Sequence, residues 1–384
     1  LERLVAWRRD LHRHPELSGR ETRTAKRICH ALDEMRIAYR RGVARTGVVA
    51  DLPGPPGVPT VALRADMDAL PIEEATDVDY ASVQHGVMHA CGHDGHTSML
   101  LGAAELLRRE GSLPCPVRLV FQPAEETSTG ARAMIDDGTL DGVAMIFGGH
   151  IDATYRPGEI VVDATAVNAS NDEFVIELSG PGGHAARPQE TVDPIVAGSQ
   201  IVAALRGIVA RAAAPGRPAV VSVGRFEAGT AANVIATAAR LAGTMRALDP
   251  AIRAELIAAV RDIALSTGAA LGVRVVVRFV QGTPVVVNAP EPTALARAAA
   301  ALVVGPDGVQ PLAKPNLGGE DFGFYLQHVP GCYVRFGARP TEATPFPAHS
   351  PRFQFDEQVL AVGASYFSQV ALAAGRRLAD AGAG

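Results

Sequence analysis

The chain has 384 residues, which at about 150 residues per domain is enough for two or three domains with sizeable cores. Hydrophobic residues make up 47%, aromatics 5% and charged residues 20%, with a net charge of −5. Ala, Val, Leu and Ile must therefore build the interior, and the balance excludes both a disordered chain and the basic surface of a nucleic-acid binder. No apolar run reaches the ~18 residues that cross a bilayer, so no membrane partner is expected. The four cysteines, Cys29, Cys91, Cys115 and Cys332, form no CxxC pair, so neither a zinc finger nor a thioredoxin-type motif is present. At this density and size no disulfide framework is expected, and the chemistry fits a reducing, cytoplasmic setting.

In chain order, residues 1–13 read as a charged amphipathic helix rather than a signal peptide. Apolar runs at 47–52, 60–64, 117–121, 144–147 and 159–162 read as strands, and helical periodicity marks 22–35, 97–109 and 131–136. Strands separated by helices of this length predict an α/β fold, a mixed and mostly parallel sheet between helices. The texture changes near Asn171: strand 173–178, helix 192–212, strands 220–227 and 238–246, helix 250–267 and strand 273–280. Two helices with four largely β-branched strands make a compact α+β unit of roughly a hundred residues. A linker at 284–292 follows, then helix 292–304, a strand near 332–336 and an Ala-rich helix from 356 to about 378. The tail holds too few strands to fold alone. It is therefore expected to join the first half, giving one domain from residues 1–168 and 284–384 and a smaller inserted domain at 169–283.

Metal-capable side chains concentrate in His89-Ala90-Cys91-Gly92-His93-Asp94-Gly95-His96. Cys91 and His93, two apart, share a side if the segment is extended, and Asp94 is placed to cap the helix that follows. A thiolate with imidazoles suits Zn²⁺ or a similar ion; the competing reading is a His-rich turn around an inert buried Cys. Three apolar strands tip the balance towards a metal. Each runs into ligand-type residues: 60–64 into Asp66 and Asp68, 117–121 into Glu125 and Glu126, and 144–147 into Gly148-Gly149-His150. Ligands in open α/β sheets bind beyond the carboxyl ends of the strands. The adjacent Glu125 and Glu126 can face different ways, one binding metal and the other taking a proton from water, unless they are merely a solvated acidic pair. His349, between Pro347 and Pro351, is a ligand candidate, although a lone His in such a loop is more often a hydrogen-bonder than a ligand.

The segments Ala62-Leu63-Arg64-Ala65-Asp66-Met67-Asp68-Ala69-Leu70-Pro71 and Met88-His89-Ala90-Cys91-Gly92-His93-Asp94-Gly95-His96-Thr97 closely resemble the amidohydrolase branch of the aminoacylase/carboxypeptidase-G-type dinuclear metallopeptidases. That branch includes hippurate hydrolases, indole-acetyl-amino-acid hydrolases and N-acetyl-diaminopimelate deacetylases. Further matches, in family order, are Phe121-Gln122-Pro123-Ala124-Glu125-Glu126, Gly182-Gly183-His184-Ala185-Ala186-Arg187-Pro188, Asn233-Val234-Ile235, Gly243-Thr244-Met245-Arg246, Gly318-Gly319-Glu320-Asp321-Phe322 and His349-Ser350-Pro351.

The resemblance implies two divalent ions per subunit, Zn or alternatively Mn, Co or Ni, on Cys91, His93, Glu126, His150 and His349. Cys91 stands where related branches carry a bridging Asp. It further implies Glu125 as general base and Asp68 as a carboxylate that orients a ligand histidine. The inserted domain resembles a lid and dimerisation domain. Its His184 would be delivered across a homodimer to stabilise an oxyanion, and Asn233 and Arg246 would contact substrate. Gly318 and Gly319 would allow close backbone approach, or simply form a turn. The implied reaction is hydrolysis of N-acyl amino acids, with a dipeptidase or carboxypeptidase on the same machinery as the alternative; a non-catalytic metal-binding or redox-sensing protein would leave Glu125 unexplained. Ile151-Asp152-Ala153-Thr154 after His150 departs from the aromatic and proline common in the family, which bears on the acyl group accepted. His85, His89 and His96 read as structural hydrogen-bonders of the loop.

Overall fold

The long apolar runs of the first half fold into one sheet because each is flanked by a helix whose apolar stripe can cover it. The structure is a computed structural model and describes residues 1–212, 218–314, 316–340 and 346–382. The chain divides into two compact units: Leu1–Thr165 with Val287–Lys314 and Asp321–Gly384, and Ala166–Val286 with Pro315–Glu320. That Pro315–Glu320 groups with the second unit is a tertiary fact that no local pattern announces.

In the first unit an eight-stranded sheet runs in the order Tyr39–Val43, Gly47–Leu52, Val117–Gln122, Thr60–Asp66, Val143–Asp152, Gly331–Gly337, Ile160–Val161, Val309–Gln310. The four central strands are parallel to one another, while the pairs at 39–52 and between Gly47–Leu52 and Val117–Gln122 are antiparallel. The expected α/β class with a mixed, mostly parallel sheet is the one observed. Strand Thr60–Asp66 has six consecutive buried residues, the signature of a strand covered on both faces. Helix His93–Arg109 lies against Val359–Gly382, where small residues let the two backbones approach. A Cβ on Gly363 would stand 2.2 Å from Met99 Sδ, and one on Gly102 would stand 2.8 Å from Ala364 Cβ.

Two local expectations fail. Strand 144–147 does not stop before the glycines but extends through His150 to Asp152. Gly148 and Gly149 pair with Tyr333 and Val334 in the neighbouring strand, where a Cβ would stand within 3 Å of Phe322, Tyr333 or Phe336. Glycine here serves close packing inside a strand, not a turn. Nor does Asp94 cap the following helix. That helix begins at His93 with Gly92 as its N-cap, in the left-handed region at φ 93°, so the 91–93 segment is a tight corner and not extended. Asp94 instead lies in the first turn and is buried against Arg8 Nε at 2.9 Å and His12 Nδ1 at 2.8 Å.

The second unit is an antiparallel four-stranded sheet in the order Ala219–Ala228, Ala238–Ala247, Ser170–Ser179, Arg274–Val280. Strand Ser170–Ser179 alternates strictly, burying Ser170, Asp172, Phe174, Ile176 and Leu178. Phe174, Ile176 and Leu178 pack with Ile201 and Leu205 of helix Pro194–Ala212 and with Leu256 and Val260 of helix Pro250–Ala270. Asp172 is offset by a bidentate pair with Arg253, both contacts at 2.7 Å.

Leu63, in the middle of the first unit's sheet, is 0% exposed, whereas Leu302 on helix Pro290–Val304 is 74% exposed. Leu63→Ala is expected to cost about 2–5 kcal/mol of unfolding free energy in urea titrations. Leu302→Ala is expected to stay within about 0.5 kcal/mol of the parent.

Candidate metal centre and the residues around it

Parallel pairing of Thr60–Asp66 with Val117–Gln122 sends the segments after both strands out of the same end of the sheet. Asp68 ties them together. Its Oδ2 accepts the Glu126 N–H at 3.0 Å and the Ser18 hydroxyl at 2.7 Å, and its Oδ1 lies 3.2 Å from His93 Nδ1. Glu21, fully buried, accepts the Ala124 N–H at 2.9 Å and the Thr46 hydroxyl at 2.6 Å. Ala124 has φ 55°, a left-handed conformation that costs a residue with a Cβ about 1–2 kcal/mol. The Glu21 contact helps hold this turn, which presents Glu125 and Glu126. Glu125 Oε1 receives the Asp321 N–H at 3.4 Å.

Four further donors converge there. His93, first residue of its helix, has Nδ1 against the Asp68 carbonyl and carboxylate, which leaves Nε2 buried with no hydrogen-bond partner. Cys91 Sγ lies 3.3 Å from His150 Nε2, and His150 Nδ1 donates to the Ile151 carbonyl at 2.6 Å. His349, at φ 68°, is anchored by its N–H to the Ala90 carbonyl at 2.8 Å, and its Nε2 lies 3.4 Å from Glu126 Oε2. Among the described residues Glu126 Oε1 is buried without a hydrogen-bond partner and lies 3.9 Å from His93 Nε2. Three overlapping donor sets have their atoms within 4.8 Å of one another: Cys91, His93 and His150; Cys91, Glu126 and His349; His93, Glu125 and Glu126. Two buried polar atoms lacking a partner, in a set of one sulfur, imidazole nitrogens and carboxylate oxygens, fit a divalent transition ion.

The electrostatics agree. Burial, with Glu126 beside it, pushes the Cys91 thiol well up, so a bound ion must displace a proton the protein otherwise retains. Burial and the neighbouring His96 push His150 down, which keeps its imidazole neutral. For His93 burial works against the charged ring, but Asp66 and Cys91 outweigh it and raise its pKa. The Glu126 contact raises His349. Asp68 is lowered in spite of its burial, chiefly through His93.

A fourth set, Asp66 with His93 and His96, also lies within that span, but two of its members are engaged. Asp66 gives one oxygen to His96 Nδ1 at 2.6 Å and the other to Arg64 at 2.7 Å, and His96 Nε2 accepts the Ile151 N–H at 2.8 Å. His96 thus hydrogen-bonds as expected. His85 is exposed and paired with Glu73. His89 departs from expectation: it is buried with neither ring nitrogen hydrogen-bonded, and burial lowers its pKa to about 4. It packs as a neutral ring because burial disfavours its charged form.

The remaining residues singled out from the sequence belong to the second unit. His184 lies on the short strand Gly183–His184, which pairs with Val234–Ile235 and so brings it beside Asn233. Its Nδ1 accepts the Ala186 N–H at 3.0 Å, which leaves Nε2 as the protonated nitrogen of the neutral ring; both His184 and Asn233 are exposed. Arg246 donates to the Leu317 carbonyl at 2.7 Å and so holds the segment carrying Gly318 and Gly319. A Cβ on Gly319 would stand 2.7 Å from Thr283 Oγ1, and the Gly318 carbonyl accepts from Asn168 at 3.2 Å. Sequence reasoning passed over Arg64, Gln122 and Asp321, whose side chains interlock behind Glu125. The available signal was an arginine inside an otherwise apolar strand, since a buried charge needs a partner.

Comparison with known proteins points the same way. The chain is 40% identical over 373 residues to N-acetylcysteine deacetylase of Bacillus subtilis, covering 96% of both chains. It is 39% identical over 367 residues to thermostable carboxypeptidase 2 of Saccharolobus solfataricus, covering 94% of this chain and 92% of that one. A Bacillus subtilis crystal structure described as a dinuclear metal binding peptidase superposes with a TM-score of 0.85 at 37% identity, over 97% of each chain. The sequence profile of peptidase family M20/M25/M40 matches residues 62–373. The chain belongs to the M20/M25/M40 peptidase family and is a hydrolase of the metal-dependent amidohydrolase kind.

Proposed function

We propose that this hydrolase cleaves the amide bond of N-acyl amino acids to a carboxylic acid and a free amino acid, using two divalent ions held by Cys91, His93, Glu126, His150 and His349. The observation that carries the reading is the position of Glu125. Its carboxylate lies within 4.8 Å of donor atoms on His93 and Glu126, yet its neighbour Glu126 contributes to a second donor set that omits it. A structural metal site has no use for such a second carboxylate. Bound ions supply a water of lowered pKa and a polarised carbonyl. Glu125, steadied by the Asp321 N–H, is placed to take a proton from an attacking water and to return it to the departing amine. Asp68, held by Ser18 and the Glu126 N–H, fixes the ring of His93.

His184 is proposed to act on the active site of a second copy. Its outward Nε2–H suits donation to a developing oxyanion, and Asn233 beside it suits a substrate amide or carboxylate. Arg246, Gly318 and Gly319 are proposed as the further substrate contacts. A homodimer through the second unit is supported by half-exposed Ile195, Val196, Phe226 and Val234 in that unit, and by the edge position of strand Ala219–Ala228. The acyl-amino-acid assignment draws on the deacetylase relative; the carboxypeptidase relative makes peptide substrates the competing choice.

Glu125→Gln is expected to lower kcat by about 10²–10⁴-fold with metal content by mass spectrometry unchanged; near-parental turnover in the loaded variant would refute the base role. A strong chelator is expected to abolish hydrolysis, and Zn, Mn, Co or Ni to restore it. In a side-by-side panel, N-acetyl and N-benzoyl amino acids are expected to turn over faster than dipeptides with a free amino group, and the reverse order would favour the peptidase reading. Mixing inactive His184→Ala and Glu125→Gln chains should restore about a quarter of parental activity, because statistical pairing makes half the dimers mixed, each with one intact site. No recovery would place His184 in its own subunit's chemistry.

A further inference from the structure

Between strand Thr60–Asp66 and strand Val143–Asp152 runs a chain of buried contacts that the proposed reaction does not use. Arg64 donates to Asp66 Oδ2 at 2.7 Å, and Asp66 Oδ1 lies 2.6 Å from His96 Nδ1. On the far side of that ring, the Ile151 N–H donates to His96 Nε2 at 2.8 Å. A ring nitrogen that accepts an N–H carries no proton, so His96 is neutral and holds its hydrogen on Nδ1, facing Asp66. The other end of the same residue, the Ile151 carbonyl, accepts from His150 Nδ1 at 2.6 Å. His150 Nε2 is thereby left with its lone pair outward, 3.3 Å from Cys91 Sγ. The rings of His96 and His150 meet edge to face at a centroid distance of 4.7 Å.

We infer that Asp66 and His96 are positioning residues: by holding the Ile151 N–H they fix the backbone whose carbonyl accepts from His150 Nδ1, and so keep His150 in the Nδ1–H tautomer with its Nε2 lone pair aimed at the cation site. The inference rests on the proposed assignment of His150 as a ligand. His150 Nδ1 takes its acceptor from the Ile151 carbonyl, so any shift of the Ile151 backbone that follows loss of the His96 contact moves the group that sets the tautomer. Arg64 keeps Asp66 facing His96 by occupying its second oxygen. A packing residue would need none of these directed contacts. The arrangement differs from the common one, in which a ligand histidine is oriented directly by a carboxylate, because here the backbone of Ile151 is interposed.

The test uses the full chain with ¹⁵N-labelled histidine. In the chelated parent, long-range proton–nitrogen correlation of His150, assigned with His150→Gln, is expected to show a single Nδ1–H tautomer. An Nε2–H or averaged ring in the parent overturns the inference without any further variant. His96→Phe keeps a ring and removes the acceptor; it is expected to give a mixed His150 tautomer, to weaken cobalt(II) binding by about 10–100-fold and to shift the thiolate-to-cobalt absorption band. His96→Gln, which retains one acceptor and one donor, is expected to recover most of that affinity. An unchanged tautomer with cobalt affinity within about two-fold in a folded His96→Phe protein overturns the inference. The ligand assignment fails separately if His150→Ala binds cobalt with parental affinity and spectrum, whatever the tautomer in the parent.

Discussion

One buried guanidinium organises the first unit's site. Arg64, 1% exposed in the middle of a strand, reaches Asp66, Gln122 and Asp321 with contacts of 2.7–2.8 Å. Gln122 in turn donates to Asp321, and Asp321 accepts the Ala131 N–H and gives its own N–H to Glu125. Taking such a cation out of water costs several kcal/mol even when paired, and apolar residues of like volume would often serve stability as well or better. The network therefore does more than hold the sheet together. It joins the ends of two parallel strands to the two arms of the site, the histidine arm through Asp66 and the carboxylate arm through Asp321. Removing one member leaves a buried charge without its partner, so the network behaves as a unit in which the positions of Glu125 and His150 are coupled.

A second constraint is backbone strain at the presenting residues. Ala124 and His349 carry positive φ, and each is pinned by a hydrogen bond from its own N–H, to Glu21 and to the Ala90 carbonyl. Neither residue is glycine, so the conformation is imposed by surroundings and not chosen by local preference. Gly130 completes the turn on the other side, since a Cβ there would stand 1.7 Å from the Pro123 carbonyl oxygen. The donor residues are thus held by contacts outside themselves, which is what a site needs if its atoms are to keep their places when a proton is lost or an ion enters.

Much of this was legible in the sequence, for reasons that differ by level. Strand Gly47–Leu52 and helix Thr22–Glu34 follow local periodicity, and the sequence pattern finds them almost to the residue. The donor residues were legible because Cys, His and Glu at strand ends have few other uses. What escaped was whatever depends on partners far along the chain. Asp94 looks like a cap until Arg8 and His12, more than eighty residues earlier, claim its carboxylate. Strand 144–147 reads as ending at the glycines before His150 until the strand Gly331–Gly337 is laid beside them. Arg64 and Asp321 are 257 residues apart, and no spacing rule connects them. His89 shows the converse: a residue of the right type in the right motif that joins none of the donor sets among the described residues.

The helix that opens with His93 adds an electrostatic consequence. Its N-terminus, equivalent to roughly half a positive charge, lies at His93, itself one of the donor residues. That end attracts anions and works against a cation. The surrounding carboxylates reverse the sign: Asp66, Asp68, Asp94 and Glu126 all lie against this first turn or its contacts, and burial in a weakly screening interior makes each count more. Asp94, matched by Arg8, compensates the helix end itself, which leaves Asp68 and Glu126 to compensate whatever enters the donor cluster. Charge in the proposed dinuclear site is therefore balanced in two layers. The inner layer fixes the helix start, and in the outer one it is the Glu126 oxygen without a hydrogen-bond partner that a cation replacing the proton on Cys91 would satisfy.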